Sequence, residues 1–69
     1  MPNWQSVYEG PSEWQAELVK AVLEEHDIDA VVLNLRDRSY GNFGRVRVMV
    51  EEGNYEQAMI YLRLSPPNP

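Results

Sequence analysis

Residues 45–50, Arg-Val-Arg-Val-Met-Val, alternate a small β-branched side chain with a long one without a break. Period two marks a strand whose faces meet different surroundings, because successive Cβ atoms point to opposite sides of a sheet. Val46, Val48 and Val50 are therefore expected on a covered face, and Arg45 and Arg47 on an open one. Such a strand needs partners, and they must come from a chain of 69 residues. Residues 4–8, Trp-Gln-Ser-Val-Tyr, are β-prone and stop at Gly10-Pro11, which reads as a first strand. Residues 30–35, Ala-Val-Val-Leu-Asn-Leu, read as a second. They are apolar on both faces for most of their length, which argues for a central position or a covered outer face.

Two helices fit between and after these strands. Ser12 opens the first, and Ser12 with Gln15 has the spacing of a capping box, in which each side chain satisfies an amide of the first turn. Ala16, Val19, Val22 and Leu23 recur at helical spacing and mark its buried face. It is expected to end near Glu25-His26, with Asp27 where a left-handed glycine would be usual. Ile28 then folds back onto it. A second helix begins within residues 51–54, where Asn54 and Gln57 again suit a reciprocal cap. Its stripe is Tyr55, Ala58, Met59 and Leu62. Residues 65–69, Ser-Pro-Pro-Asn-Pro, cannot be helical and are expected as an extended or disordered tail beyond a single domain spanning residues 1–64.

The order β-α-β-β-α predicts an α+β fold: a two-layer, ferredoxin-like sandwich with both helices on one face of a small antiparallel sheet. The third strand would be central, and the fourth strand missing or rudimentary. Residues 63–65, Arg-Leu-Ser, are the candidate for a rudimentary one. Without it the first strand is an open edge, which invites pairing with another chain.

Trp4, Val7-Tyr8, Ala16-Glu17, Leu23, Ile28-Asp29-Ala30-Val31, the Val46/Val48/Val50 alternation, the acidic helix start and Ala58 carry a further signal. Over roughly residues 4–62 the chain resembles the small bacterial domains of unknown function labelled prokaryotic signal-transducing proteins. The resemblance implies a ferredoxin-like domain and supplies no catalytic residues. Asp27 stands where members usually have Gly, a departure at a turn. The label itself looks like a fold analogy to the nitrogen-regulatory PII proteins, which also have a long loop between strands two and three. Fold analogy does not by itself establish function.

Size and charge narrow the functional classes. A chain this short hides only roughly 60% of the surface it exposes when unfolded, and such domains usually need a staple. With no cysteine, disulfides and thiolate metal sites are excluded, which leaves oligomerisation or tidy packing. The absence of cysteine suits a reducing cytosol, and a cytoplasmic protein is expected. Residues 1–10 lack the basic-then-apolar pattern of a signal peptide. A net charge of −5 repels nucleic-acid phosphates and anionic lipid, so neither nucleic acid nor membrane is an expected partner.

No residue pattern calls for catalysis or for a cofactor. His26 is the sole histidine and has no nucleophile and orienting partner at a recognisable spacing. Glu24, Glu25, His26, Asp27 and Asp29 are crowded but do not share a helical face at metal-ligand spacing, so they read as a solvated acidic helix end. The sharpest feature is basic. Four of the six Lys and Arg residues are Arg36, Arg38, Arg45 and Arg47, against Asp37 alone in that window. Residues 12–29 instead hold six acids and only Lys20. Tyr40 and Phe43 adjoin the arginines. Guanidinium forks suit carboxylate or phosphate, so Arg36, Arg38, Tyr40, Phe43, Arg45 and Arg47 are the candidate ligand- or partner-binding residues. The bland reading pairs the arginines with Asp37, Glu51 or Glu52 as a solvated surface.

The expectation is a non-enzymatic regulatory or adaptor module that binds an unidentified protein partner or itself, as a homo-oligomer. The alternative is a sensor that binds an anionic metabolite or nucleotide at the arginine-rich loop.

Overall fold

The computed structural model describes residues 3–34 and 45–64. The expected elements appear in order: β1 (Trp4–Gly10), α1 (Glu13–Glu25), β2 (Ala30–Asn34), β3 (Val46–Glu51), a 3-10 turn (Glu52–Asn54) and α2 (Tyr55–Leu64). The three strands form one antiparallel sheet with β3 in the centre, flanked by β1 and β2. The fold is therefore the small α+β, ferredoxin-like sandwich read from the sequence. Among the described residues strand β2 lies at an edge, so its two-sided apolar character does not reflect a central position there.

The core follows from the alternation in β3. Val46, Val48 and Val50 are fully buried against Ala16, Val19 and Leu23 of α1 and Ala58 of α2, with Ile28 and Ala30 closing the cluster. Burying a valine side chain stabilises by about 1.5–3 kcal/mol, so three in register on the central strand fix which face the helices take. Tyr61 and Leu62 of α2 pack on the margin of the same cluster.

Each helix end has a local cause. The Gln15 amide donates to Ser12 Oγ at 3.1 Å, the forward half of the expected capping box. The return half is absent, because Gln15 Oε1 accepts from the Tyr8 hydroxyl at 3.1 Å and so ties α1 to β1 instead. At the other end the Ile28 amide reaches the Leu23 carbonyl at 3.0 Å and the Asp27 amide the Glu24 carbonyl at 3.1 Å. This is a Schellman closure with Asp27 at φ 61°. Leu23 and Ile28, the apolar pair that accompanies it, are both buried.

At α2, Asn54 and Gln57 form no reciprocal cap. The 3-10 turn leads directly into the helix, and the Glu52 amide donates to the Asn3 carbonyl at 2.7 Å. Arg63 and Leu64, the candidates for a rudimentary fourth strand, are instead the last residues of α2. Both are exposed and form the last turn of the helix beyond the core-facing stripe at Tyr55, Ala58, Met59 and Leu62. Strand β1 therefore pairs on one side only among the described residues. The tail at residues 65–69 lies outside them.

Candidate interaction surface

Strand register decides which side chains share the open face of the sheet. Residues directly opposite one another across an antiparallel pair point the same way. Beyond Val46, Val48 and Val50, strand β3 turns Arg47, Met49 and Glu51 outward. Opposite them on β2 stand Leu33 and Val31, and on β1 Glu9, Ser6 and Trp4.

Strand β1 reaches this arrangement through a bulge. Its register shifts between Ser6 and Tyr8, leaving Val7 without an opposite residue. The Ser6 hydroxyl bridges the bulge to the Tyr8 carbonyl at 3.2 Å. Strict alternation would put Trp4 and Tyr8 on one face and Glu9 on the other. The extra residue instead turns Val7 and Tyr8 toward the core and leaves both Trp4 and Glu9 on the open face. The Tyr8 ring folds across Gly10, where a Cβ would meet its hydroxyl at 2.6 Å.

The open face therefore has two parts. At one end Trp4, Val31, Leu33 and Met49 line a shallow apolar depression. Trp4 is 44% exposed, Val31 40% and Leu33 41%, although all three belong to regular strands. At the other end Glu9 accepts hydrogen bonds from Arg47 Nε at 3.0 Å and from Arg45 Nη1. The Arg45 hydrogen bond foremost, against an opposing desolvation and with the Arg47 charge and hydrogen bond adding to it, holds the Glu9 carboxyl below the usual carboxylate range. Glu9 is thus the acid that Arg45 and Arg47 meet, rather than Glu51 or Glu52. No spacing in the sequence points to it, because its face depends on the bulge.

Of the candidate binding residues, the structure brings Arg45 and Arg47 together around one carboxylate. Arg36, Arg38, Tyr40 and Phe43 lie outside the described residues, as does Asp37. Sequence reasoning places Trp4 in the core or at its rim and does not single out Met49. For Val31 and Leu33 the signal is present in the two-sided apolar pattern of β2. Among the described residues nothing covers the outer face that this pattern suggests is covered.

Elsewhere, the exposed His26 stacks on Tyr61 with ring centroids 3.8 Å apart, which joins the end of α1 to α2. Among the described residues no three His, Asp or Glu side chains gather as metal ligands. No helix among them is long and apolar enough to cross a membrane.

A bulged three-stranded sheet carrying helices on one side and an apolar and charged surface on the other defines a small α+β domain with an open sheet face. The chain belongs to the family described as "putative prokaryotic signal transducing protein", whose model matches residues 4–63. No curated protein and no solved structure matches it.

Proposed function

We propose that the chain is a non-enzymatic regulatory or adaptor module that works by protein contact through the open face of its sheet. The observation that carries this reading is the uncovered depression formed by Trp4, Val31, Leu33 and Met49. Contiguous exposed apolar surface rimmed by charge is the usual mark of a protein-contact site. The family description, with its reference to signal transduction, supports the same class of role.

The test is affinity capture from a bacterial lysate, with the native chain beside a Val31→Lys/Leu33→Lys variant, both verified as folded by their amide spectra. A protein held by the native chain and lost by the variant is the expected result. Equal capture by both would place the contact elsewhere and end this reading.

A second reading has one observation in its favour. Arg45 and Arg47 already converge on the Glu9 carboxylate, so an anionic metabolite or nucleotide taking the place of Glu9 would meet the same two guanidinium groups. Titration with a panel of dicarboxylates and nucleotides should then move the Arg45 and Arg47 signals. Unmoved signals across the panel would remove it.

A further inference from the structure

We infer that the open sheet face is self-complementary and pairs with the same face of a second copy of this chain. This rests on the reading of that face as a protein-contact surface and names its occupant.

The argument starts from the outward row of β3. With Arg45 beside the strand end, the row reads Arg45, Arg47, Met49, Glu51. It runs from positive, through apolar, to negative. Arg45 and Arg47 share the single carboxylate of Glu9, so that end retains net positive charge. At the other end Glu51 forms no side-chain hydrogen bond or ion pair among the described residues. Met49 sits midway, about 6.6 Å from Arg47 and from Glu51 along the strand. Val31 and Leu33 flank the row on one side and Trp4 on the other.

Two sheets that pack face to face lie about 10 Å apart with their strands nearly aligned. A two-fold axis allows two such stackings of β3 on its copy. With the strands parallel, Arg47 lies over Arg47 and Glu51 over Glu51, and like charges oppose. With the strands antiparallel about Met49, Arg47 of each copy lies over Glu51 of the other. Met49 meets Met49, Val31 meets Val31, and Trp4 of one copy lies over the Glu9–Arg47 end of its partner. There an arginine can rest against the indole. The charges therefore select the antiparallel stacking, and each contact occurs twice, as an isologous interface requires.

The area is consistent with a reversible dimer. Three strands of 7, 5 and 6 residues present a footprint of roughly 300 Å² per copy. The total, roughly 600 Å², is below that of a standard specific interface, which suits a weak dimer that forms at high protein concentration.

The experiment is sedimentation velocity from about 10 μM to about 1 mM, with native chain, Arg47→Glu, Glu51→Lys, their equimolar mixture and Met49→Glu, each checked for native amide dispersion. The native chain should dimerise. Each single charge variant should weaken association about tenfold or more, since two attractive contacts become repulsive. The mixture should recover it, because Arg47 and Lys at position 51 of one chain then face Glu51 and Glu at position 47 of the other. Recovery in the chain carrying both substitutions provides the same readout should Arg47→Glu alone disturb Glu9. A native chain that is monomeric throughout, or a mixture no stronger than its components, overturns the inference. So does a dimer that survives Met49→Glu, which would be pairing through the β1 edge. A monomer that still captures another protein through Val31 and Leu33 overturns the self-pairing and leaves the contact function standing. A monomer that captures nothing through that face ends both.

Discussion

Around Glu9 the charges of three side chains settle into an arrangement with a definite pH dependence. Its carboxyl is held below the ordinary glutamate value, first by the Arg45 hydrogen bond and then by the Arg47 charge. A group whose folded value is lowered contributes stability in full above its unfolded value and loses it as pH falls through the folded one. Glu9→Gln should therefore lower the urea midpoint at neutral pH and have no effect in strong acid, where the native carboxyl is also protonated. The gap should shrink in salt, since the cluster faces solvent. A gap that persists unchanged into acid would show that Glu9 acts through packing rather than charge. Asp27 is strained in a different way: it holds φ at 61° to close the first helix, a conformation in which a Cβ is unfavourable. Asp27→Gly should stabilise the chain by about 0.5–1 kcal/mol, because the cap hydrogen bonds to Leu23 and Glu24 need no side chain. For a domain of this size that is a rise in Tm of about 2–8 °C, measurable by calorimetry. An unchanged or lower Tm would mean that the greater freedom of glycine in the unfolded chain outweighs the relieved strain.

Among the elements, β3 and β1 show what alternation does and does not reveal. Strand β3 keeps period two from end to end, so neighbouring positions should respond very differently to one substitution. Val48→Thr places a hydroxyl among fully buried side chains and should cost about 1–3 kcal/mol. Met49→Thr, one residue along and facing outward, should stay within about 0.5 kcal/mol in dilute protein. Urea denaturation of the pair checks the face assignment directly, and equal losses would contradict it. That regularity is why the core valines and the outward arginines are legible in the residues alone, while the central place of β3 follows from the ferredoxin-like order of elements. The helices are equally legible, because Ser12, Asp27 and the Ala16–Val19–Leu23 and Tyr55–Ala58–Leu62 stripes each act within a few residues. Strand β1 is not. One extra residue at Val7 exchanges the faces of everything on one side of it, and no local composition marks a bulge built from Ser, Val and Tyr. Alternation therefore misses Glu9 and Trp4 as neighbours of Arg47 and Met49, and it points to Glu51 and Glu52 for the acid that pairs with the arginines. The fate of Arg63 and Leu64 is similarly hard to read: three residues before a proline pair fit a short strand as well as a last helical turn, and they extend α2 as an exposed final turn.

For the molecule as a whole, the limits of a small core and the uncovered sheet face are two sides of one question. Among the described residues nine side chains make up the buried cluster, all between the helices and one side of the sheet. The other side exposes Trp4, Val31 and Leu33, and no disulfide compensates. A second copy on that side would complete a four-layer arrangement of helices, sheet, sheet and helices, with the apolar patch as its middle. Because such a copy binds the folded chain and not the unfolded one, it would stabilise by mass action. Once dimer predominates, the stabilisation per chain grows with half the logarithm of concentration, so a hundredfold increase adds about 1.4 kcal/mol. That corresponds to a rise in Tm of about 5–10 °C for a domain this small. Thermal unfolding of the native chain at two concentrations a hundredfold apart should show this rise, and Met49→Glu should abolish it while leaving the dilute Tm nearly unchanged. A native Tm independent of concentration would mean that the nine-residue core stands alone and that the open face is held in reserve for a different protein.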